Sequence, residues 1–137
     1  TLIVLGFSVY KQAATIAHWQ KGGLGYASFK WYDSEAMAYL RDLPEDIKIY
    51  TNEPGAVYLY VERGAVVLPD RFDSATALAR ETDFEKNLTI MQAEINAGQA
   101  VLALFDHGAN IAEDVPALTA GLHLAYKSAG DFIYTKP

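Results

Sequence analysis

The sequence predicts an α/β domain on a small, mostly parallel sheet, and three stretches carry that expectation. Ile47 to Asp70 (IKIYTNEPGAVYLYVERGAVVLPD) reads as strand, turn, short helix, glycine, strand. Thr82 to Phe105 repeats the scheme with a longer helix and another apolar strand. The tail LHLAYKSAGDFIYTKP reads as a hairpin, with Leu122 to Tyr126 and Phe132 to Thr135 around Ser128-Ala129-Gly130-Asp131. Short strands alternating with helices pair in parallel through right-handed crossovers, and the hairpin adds an antiparallel edge.

Taken in order, the first nine residues (TLIVLGFSV) are uncharged and show no helical face. They are too short to span a bilayer, which needs about 20 apolar residues. They fit a buried first strand or helix turn, and equally the end of a transmembrane helix. Tyr10 to Lys21 is amphipathic, with Ala13, Ile16 and Ala17 on one side and Lys11, Gln12, Thr15 and His18 mostly on the other. Tyr10, Lys11, Trp19 and Lys21 are residue types found at membrane interfaces and on solvent-facing helices alike. Gly22, Gly23 and Gly25 break this helix. Residues 1–22 are thus expected to form an N-terminal helix and residues 23–137 a single α/β domain.

Within that domain, Ser34 is placed to cap a helix reaching about Leu43, with Ala36, Met37 and Leu40 inward and Pro44 past its end. Ile47 to Thr51 is a strand. Asn52 is expected as the N-cap of the next helix, Pro54 in its first turn and Gly64 at its stop. Ala65 to Leu68 is apolar throughout, as a strand buried on both faces should be. Thr82 and Glu85 form a capping-box pair. Phe84, Leu88, Met91 and Ile95 follow at helical spacing, Gly98 ends that helix, and Ala100 to Phe105 is a buried strand. Asp114 is placed to cap a short helix with Pro116 in its first turn, ending near Gly121. The outline is a small three-layer sheet of Rossmann-like or flavodoxin-like type. No G-x-G-x-x-G follows any predicted strand, so a dinucleotide fingerprint is missing.

Bulk properties narrow the function classes. The 137 residues are enough for one domain with its own core. The net charge of −6 and scattered basic residues argue against a nucleic-acid surface, which needs clustered Lys and Arg to displace counterions. The absence of cysteine removes disulfides, thiolate nucleophiles and Cys-based zinc sites. His18, His107 and His123 are far apart and none has metal-ligand spacing, so no metal or cofactor is expected. No G-x-S-x-G elbow supports an esterase. Asn87-Leu88-Thr89 matches a glycosylation sequon but falls inside a predicted helix.

Ligands of open parallel sheets sit beyond the carboxyl ends of the strands. Those ends gather Asn52 and Glu53, Asp70 and Arg71, and Asp106 and His107 as candidate ligand-binding residues. Acids and a histidine in one crevice could do acid–base work. The same residue types also serve turns and caps, which is the commoner use. No catalytic residue is identified.

The order of features also resembles a known family. GLGYASFKW, a capped helix ending in LRDLP, and IYTNEPGAVYLYVERGAVVLP together resemble the soluble C-terminal tail of bacterial polytopic membrane glycosyltransferases. These are of the dolichyl-phosphate-mannose mannosyltransferase and aminoarabinose transferase type. In such tails a Gly-Tyr-Ala segment follows the last membrane helix, then a block of the form IYSN-x-P-x-x-x-Y-x-x-x-x-R and a short strand ending in Leu-Pro. The matching residues are Gly25, Tyr26, Ala27, Ile49, Tyr50, Asn52, Pro54, Tyr58, Arg63, Leu68 and Pro69, and the resemblance covers about residues 20 to 105. It implies that TLIVLGFSV ends a final transmembrane helix and that the domain faces the periplasm or cell exterior. The parent would transfer sugar from a polyprenyl-phosphate donor, with the membrane portion of the same polypeptide and a lipid-linked sugar or acceptor as partners. The family's catalytic acids lie upstream, so none carries over and this chain is expected to be a non-catalytic accessory domain. The alternative is a free-standing small α/β ligand-binding protein or enzyme using the strand-end crevice.

Overall fold

A computed structural model of the chain describes residues 25–71, 81–105, 114–128 and 130–137. The predicted helix at Tyr10 to Lys21, and both Asp106 and His107, lie outside the described residues. The chain divides into two compact units, Thr1–Ser34 and Glu35–Pro137.

In the first unit a 3-10 turn, Gly25–Ala27, leads into the single-turn helix α1, Phe29–Tyr32. Ser28 caps α1 from an extended conformation, its hydroxyl accepting from the Lys30 N–H at 3.4 Å. Trp31 is buried and its indole N–H donates to the Gly25 carbonyl at 3.0 Å. Gly25 has φ +55°, a left-handed conformation that favours glycine. Four residues are too few for a hydrophobic period, so nothing in the sequence pattern marks α1.

The second unit is an α/β sheet. Its elements are α2 (Glu35–Arg41), β1 (Lys48–Thr51), α3 (Pro54–Val61), β2 (Val66–Val67), α4 (Glu81–Asn96), β3 (Ala100–Leu104), α5 (Val115–Thr119), β4 (His123–Ser128) and β5 (Asp131–Thr135). The five strands lie in the order β2-β1-β3-β5-β4. β2, β1 and β3 are parallel, while β5 is antiparallel to both β3 and β4. Tyr50 sits opposite Leu102 and Val66, and Ala103 opposite Ile133. The β4–β5 register shifts between Leu124 and Tyr126, leaving Ala125 as a bulge.

Side-chain alternation divides the core. Tyr50, Ala100, Leu102 and Leu104 face α4 and pack with Phe84, Leu88, Met91 and Ile95, the four positions predicted from helical spacing. Leu118 of α5 joins this cluster. Ile49, Thr51, Val101, Ala103 and Ile133, on the opposite face, are buried as well. α2 turns Ala36, Met37 and Leu40 inward and packs against α3 and the hairpin. β3 is buried at every position, as a central strand covered on both sides must be.

Four local expectations are corrected. β2 is an edge strand and both its valines are exposed, so the apolar run Ala65 to Leu68 does not mark a central strand; only Leu68 turns into the core. α3 stops on Glu62, which takes the left-handed position (φ 60°) expected of Gly64. Thr82 is already helical, because α4 includes Glu81. Asp114 stands at the N-cap of α5 but makes no side-chain cap bond. By contrast Gly98 does end α4, at φ +73°. Among the described residues no helix is long and apolar enough to cross a membrane.

Candidate functional site

The carboxyl end of β1 is held by Asn52. Its Nδ2 donates to the Phe105 carbonyl at 2.6 Å, and the Phe105 N–H donates back to Oδ1 at 2.8 Å. Phe105 follows the last residue of β3, so the amide adds one more two-bond rung where the β1–β3 ladder ends. Asn52 is therefore not the helix cap that its residue type suggested. Glu53 takes the N-cap position without a side-chain cap bond, and its carbonyl receives the Val57 N–H at 3.1 Å. The turn is tightened by Thr51, fully buried, whose hydroxyl accepts from the Glu53 N–H at 3.1 Å.

Arg71 goes elsewhere. Its Nε donates to Asp114 Oδ1 at 2.7 Å, a second nitrogen lies 3.7 Å from Glu85 Oε1, and the guanidinium sits 4.0 Å from the centre of the Phe84 ring. This explains Asp114: its carboxylate turns from the α5 backbone to the arginine, tying the exit of β2 to α4 and α5. Gln92 adds a second tie between those helices, donating to the Ala117 carbonyl at 2.9 Å. Asp70, beside Arg71, is exposed. The four described candidates thus follow the carboxyl ends of β1 and β2, yet Asn52 reaches the end of β3 and Arg71 reaches the helices.

Two polar assemblies escaped the sequence reading. At the amino end of β1, Arg63 donates to five backbone carbonyls: Leu40 (3.5 Å), Leu43 (3.2 Å), Pro44 (2.9 Å), Glu45 (3.1 Å) and Ile47 (2.5 Å). Leu40 lies in the last turn of α2, whose carbonyls carry the negative end of the helix dipole, and its carbonyl also takes the Leu43 N–H at 3.4 Å. Arg41 returns the favour, donating to the Tyr60 carbonyl in the last turn of α3 at 2.6 Å. The two helices cap each other with arginine. A groove of about 610 Å³ opens here between Arg41, Asp46, Lys48, Glu62 and Arg63. Its cations are already engaged, the arginines by carbonyls and Lys48 by Glu94.

The second assembly is on the α4 face. Glu94 accepts from Lys48 Nζ at 2.5 Å and from the Tyr50 hydroxyl at 2.7 Å. Lys48 and Tyr50 share a face because they are two residues apart on a strand. The hydrogen bonds from Lys48 and Tyr50 hold the Glu94 carboxyl below its usual range. Burial, with help from Glu94, pushes the Tyr50 phenol up to about 12. These groups lock charge and proton in place rather than poise them for transfer near neutral pH. Among the described residues no group of three or more His, Asp or Glu could hold a metal ion.

Arg63 could have been found from its place in the family-like block, though its five acceptors could not. Glu94 gives no signal beyond its position on the flank of an amphipathic helix. Compared with family models, curated proteins and solved structures, the chain matches none.

Proposed function

We propose that this chain is a non-catalytic accessory domain of a membrane glycosyltransferase-like protein that draws on a polyprenyl-phosphate sugar donor. In this reading the domain faces the periplasm or cell exterior and works beside the membrane portion of its own polypeptide. The observation that supports it is the use made of the polar residues in the Ile47–Asp70 block. Asn52 closes a ring with the Phe105 backbone and Arg63 gathers five carbonyls, so both complete the main chain's hydrogen bonding. A block built this way is suited to holding a shape against a neighbour, such as a lipid-linked sugar or its acceptor. The parallel β2-β1-β3 run is what a three-layer Rossmann-like plan would share, and we read the sheet as a reduced, hairpin-ended version of it.

The test is a sugar-transfer assay from polyprenyl-phosphate donors. Transfer is expected from the longer polypeptide in membranes and not from this chain alone, and deletion of this chain should lower it. Turnover by the isolated 137-residue chain would overturn the non-catalytic reading. A parent polypeptide without apolar spans of about 20 residues would overturn the membrane placement.

A further inference from the structure

Phe29 and Tyr32 are three residues apart on α1, a spacing that sets them on one side of the helix, and Tyr26 lies in the 3-10 turn just before it. Tyr26, Phe29 and Tyr32 are 43%, 57% and 75% exposed, whereas Trp31 is 4% exposed. One short stretch therefore buries one ring and presents three to solvent. Lys30 lies among them, its Nζ 4.3 Å from the Trp31 ring centroid.

The chain's charge divides at the same place. Residues 1–32 contain Lys11, Lys21 and Lys30 and no Asp or Glu. Residues 33–137 contain all 17 acidic residues and the other eight basic ones. A cationic, aromatic stretch that follows the charge-free run TLIVLGFSV has the chemistry of a bilayer surface segment. Aromatic rings settle at headgroup depth, and lysines are drawn to anionic lipid. An acidic protein partner would match the lysines but not the rings, and an apolar one would leave the lysines unused. The acidic remainder of the chain is repelled by the same surface, so charge favours contact through the cationic stretch.

We propose that residues 25–32 form an interfacial foot that rests on an anionic bilayer. Tyr26, Phe29 and Tyr32 enter the headgroup layer, and Lys30 lies against lipid phosphates. The foot lies on the membrane and does not cross it. This inference deepens the membrane placement proposed above and rests on it.

The test floats the full chain with vesicles of equal parts phosphatidylglycerol and phosphatidylcholine, and with phosphatidylcholine alone. Wild-type chain should float with the anionic vesicles, less so as salt rises. Phe29→Ser with Tyr32→Ser should lower partitioning about tenfold or more, since two exposed rings lose their lipid burial. Lys30→Glu should lower it at least about fivefold on the anionic vesicles and little on phosphatidylcholine. The Lys30 result stands alone if the double variant alters the thermal midpoint. If both foot variants float like wild type while Ile3→Ser with Leu5→Ser does not, the foot is wrong and the membrane placement survives. If wild-type chain floats with neither vesicle, the foot is overturned, while the membrane placement is decided separately by the apolar spans of the longer polypeptide. Self-association without lipid that Phe29→Ser with Tyr32→Ser abolishes would assign the patch to a second copy and overturn the foot.

Discussion

The two ends of β1 are finished by different side chains, and the difference follows from what the backbone lacks at each. At the amino end, carbonyls gather at the end of α2 and in the loop after it, those of Leu40 and Pro44 taking one main-chain N–H each and all five taking Arg63. Arginine, with five N–H groups and no acceptor, answers a cluster made only of acceptors. At the carboxyl end the β1–β3 ladder stops with both an N–H and a C=O open on Phe105. Asparagine, which carries one acceptor and an NH₂, answers a deficit of both kinds. Residue type here can be read as the complement of the missing partners.

That comparison breaks most visibly at Arg63. Arg63→Ala should destabilise by about 3 kcal/mol, since several partly buried carbonyls lose a charged donor at once. Urea unfolding should show a lower midpoint at constant slope. Asn52→Asp should come next, at about 2 kcal/mol. A carboxylate keeps the acceptor for the Phe105 N–H but sets negative charge against the Phe105 carbonyl. If Asn52→Asp were harmless near neutral pH, the donor half of the ring would be unimportant and the deficit argument would fail there. Arg63→Lys should cost about 1 kcal/mol, because one ammonium keeps the charge but cannot fork between the helix end and the loop.

The smallest effect is the pH response of Tyr50 and Glu94, midway between the two ends. Tyr50 has its pKa raised from 10.0 to about 12, so its contribution is complete below pH 10 and disappears as pH climbs toward 12. Glu94 has its pKa lowered, so its contribution is present above the ordinary carboxylate range and falls away as acid protonates it. Glu94→Gln should flatten the acid side of a midpoint-against-pH curve and leave the Arg63 and Asn52 effects unchanged. Screening of the exposed Lys48 keeps this change small.

The sequence made the repetitive parts of the fold legible. Phe84, Leu88, Met91 and Ile95 announce one face of α4, Ala100 to Phe105 a strand buried on both sides, and Gly130 the hairpin turn. It did not give the position of β2, because an apolar run of four residues looks the same at an edge and in the middle. Strand order is decided by how the crossovers pack. The role of Asn52 was hidden for a related reason. Its amide can cap a helix two residues on or clamp a strand, and Phe105, the group that decides, is 53 residues away. Asp114 likewise left its own helix for Arg71, a competitor 43 residues distant. Four of the six candidate crevice residues, Asn52, Glu53, Asp70 and Arg71, can be placed; Asp106 and His107 lie outside the described residues.

The register shift at Ala125 has a bearing on how copies of this chain behave when crowded. β4 is an edge, and six residues of open backbone could template the strand of another molecule. The bulge kinks that edge and Lys127 sets charge along it, while the opposite edge, β2, is only two residues long. One flank of the sheet is guarded by a kink and the other by brevity, so growth into a polymer by adding strands is discouraged on both sides.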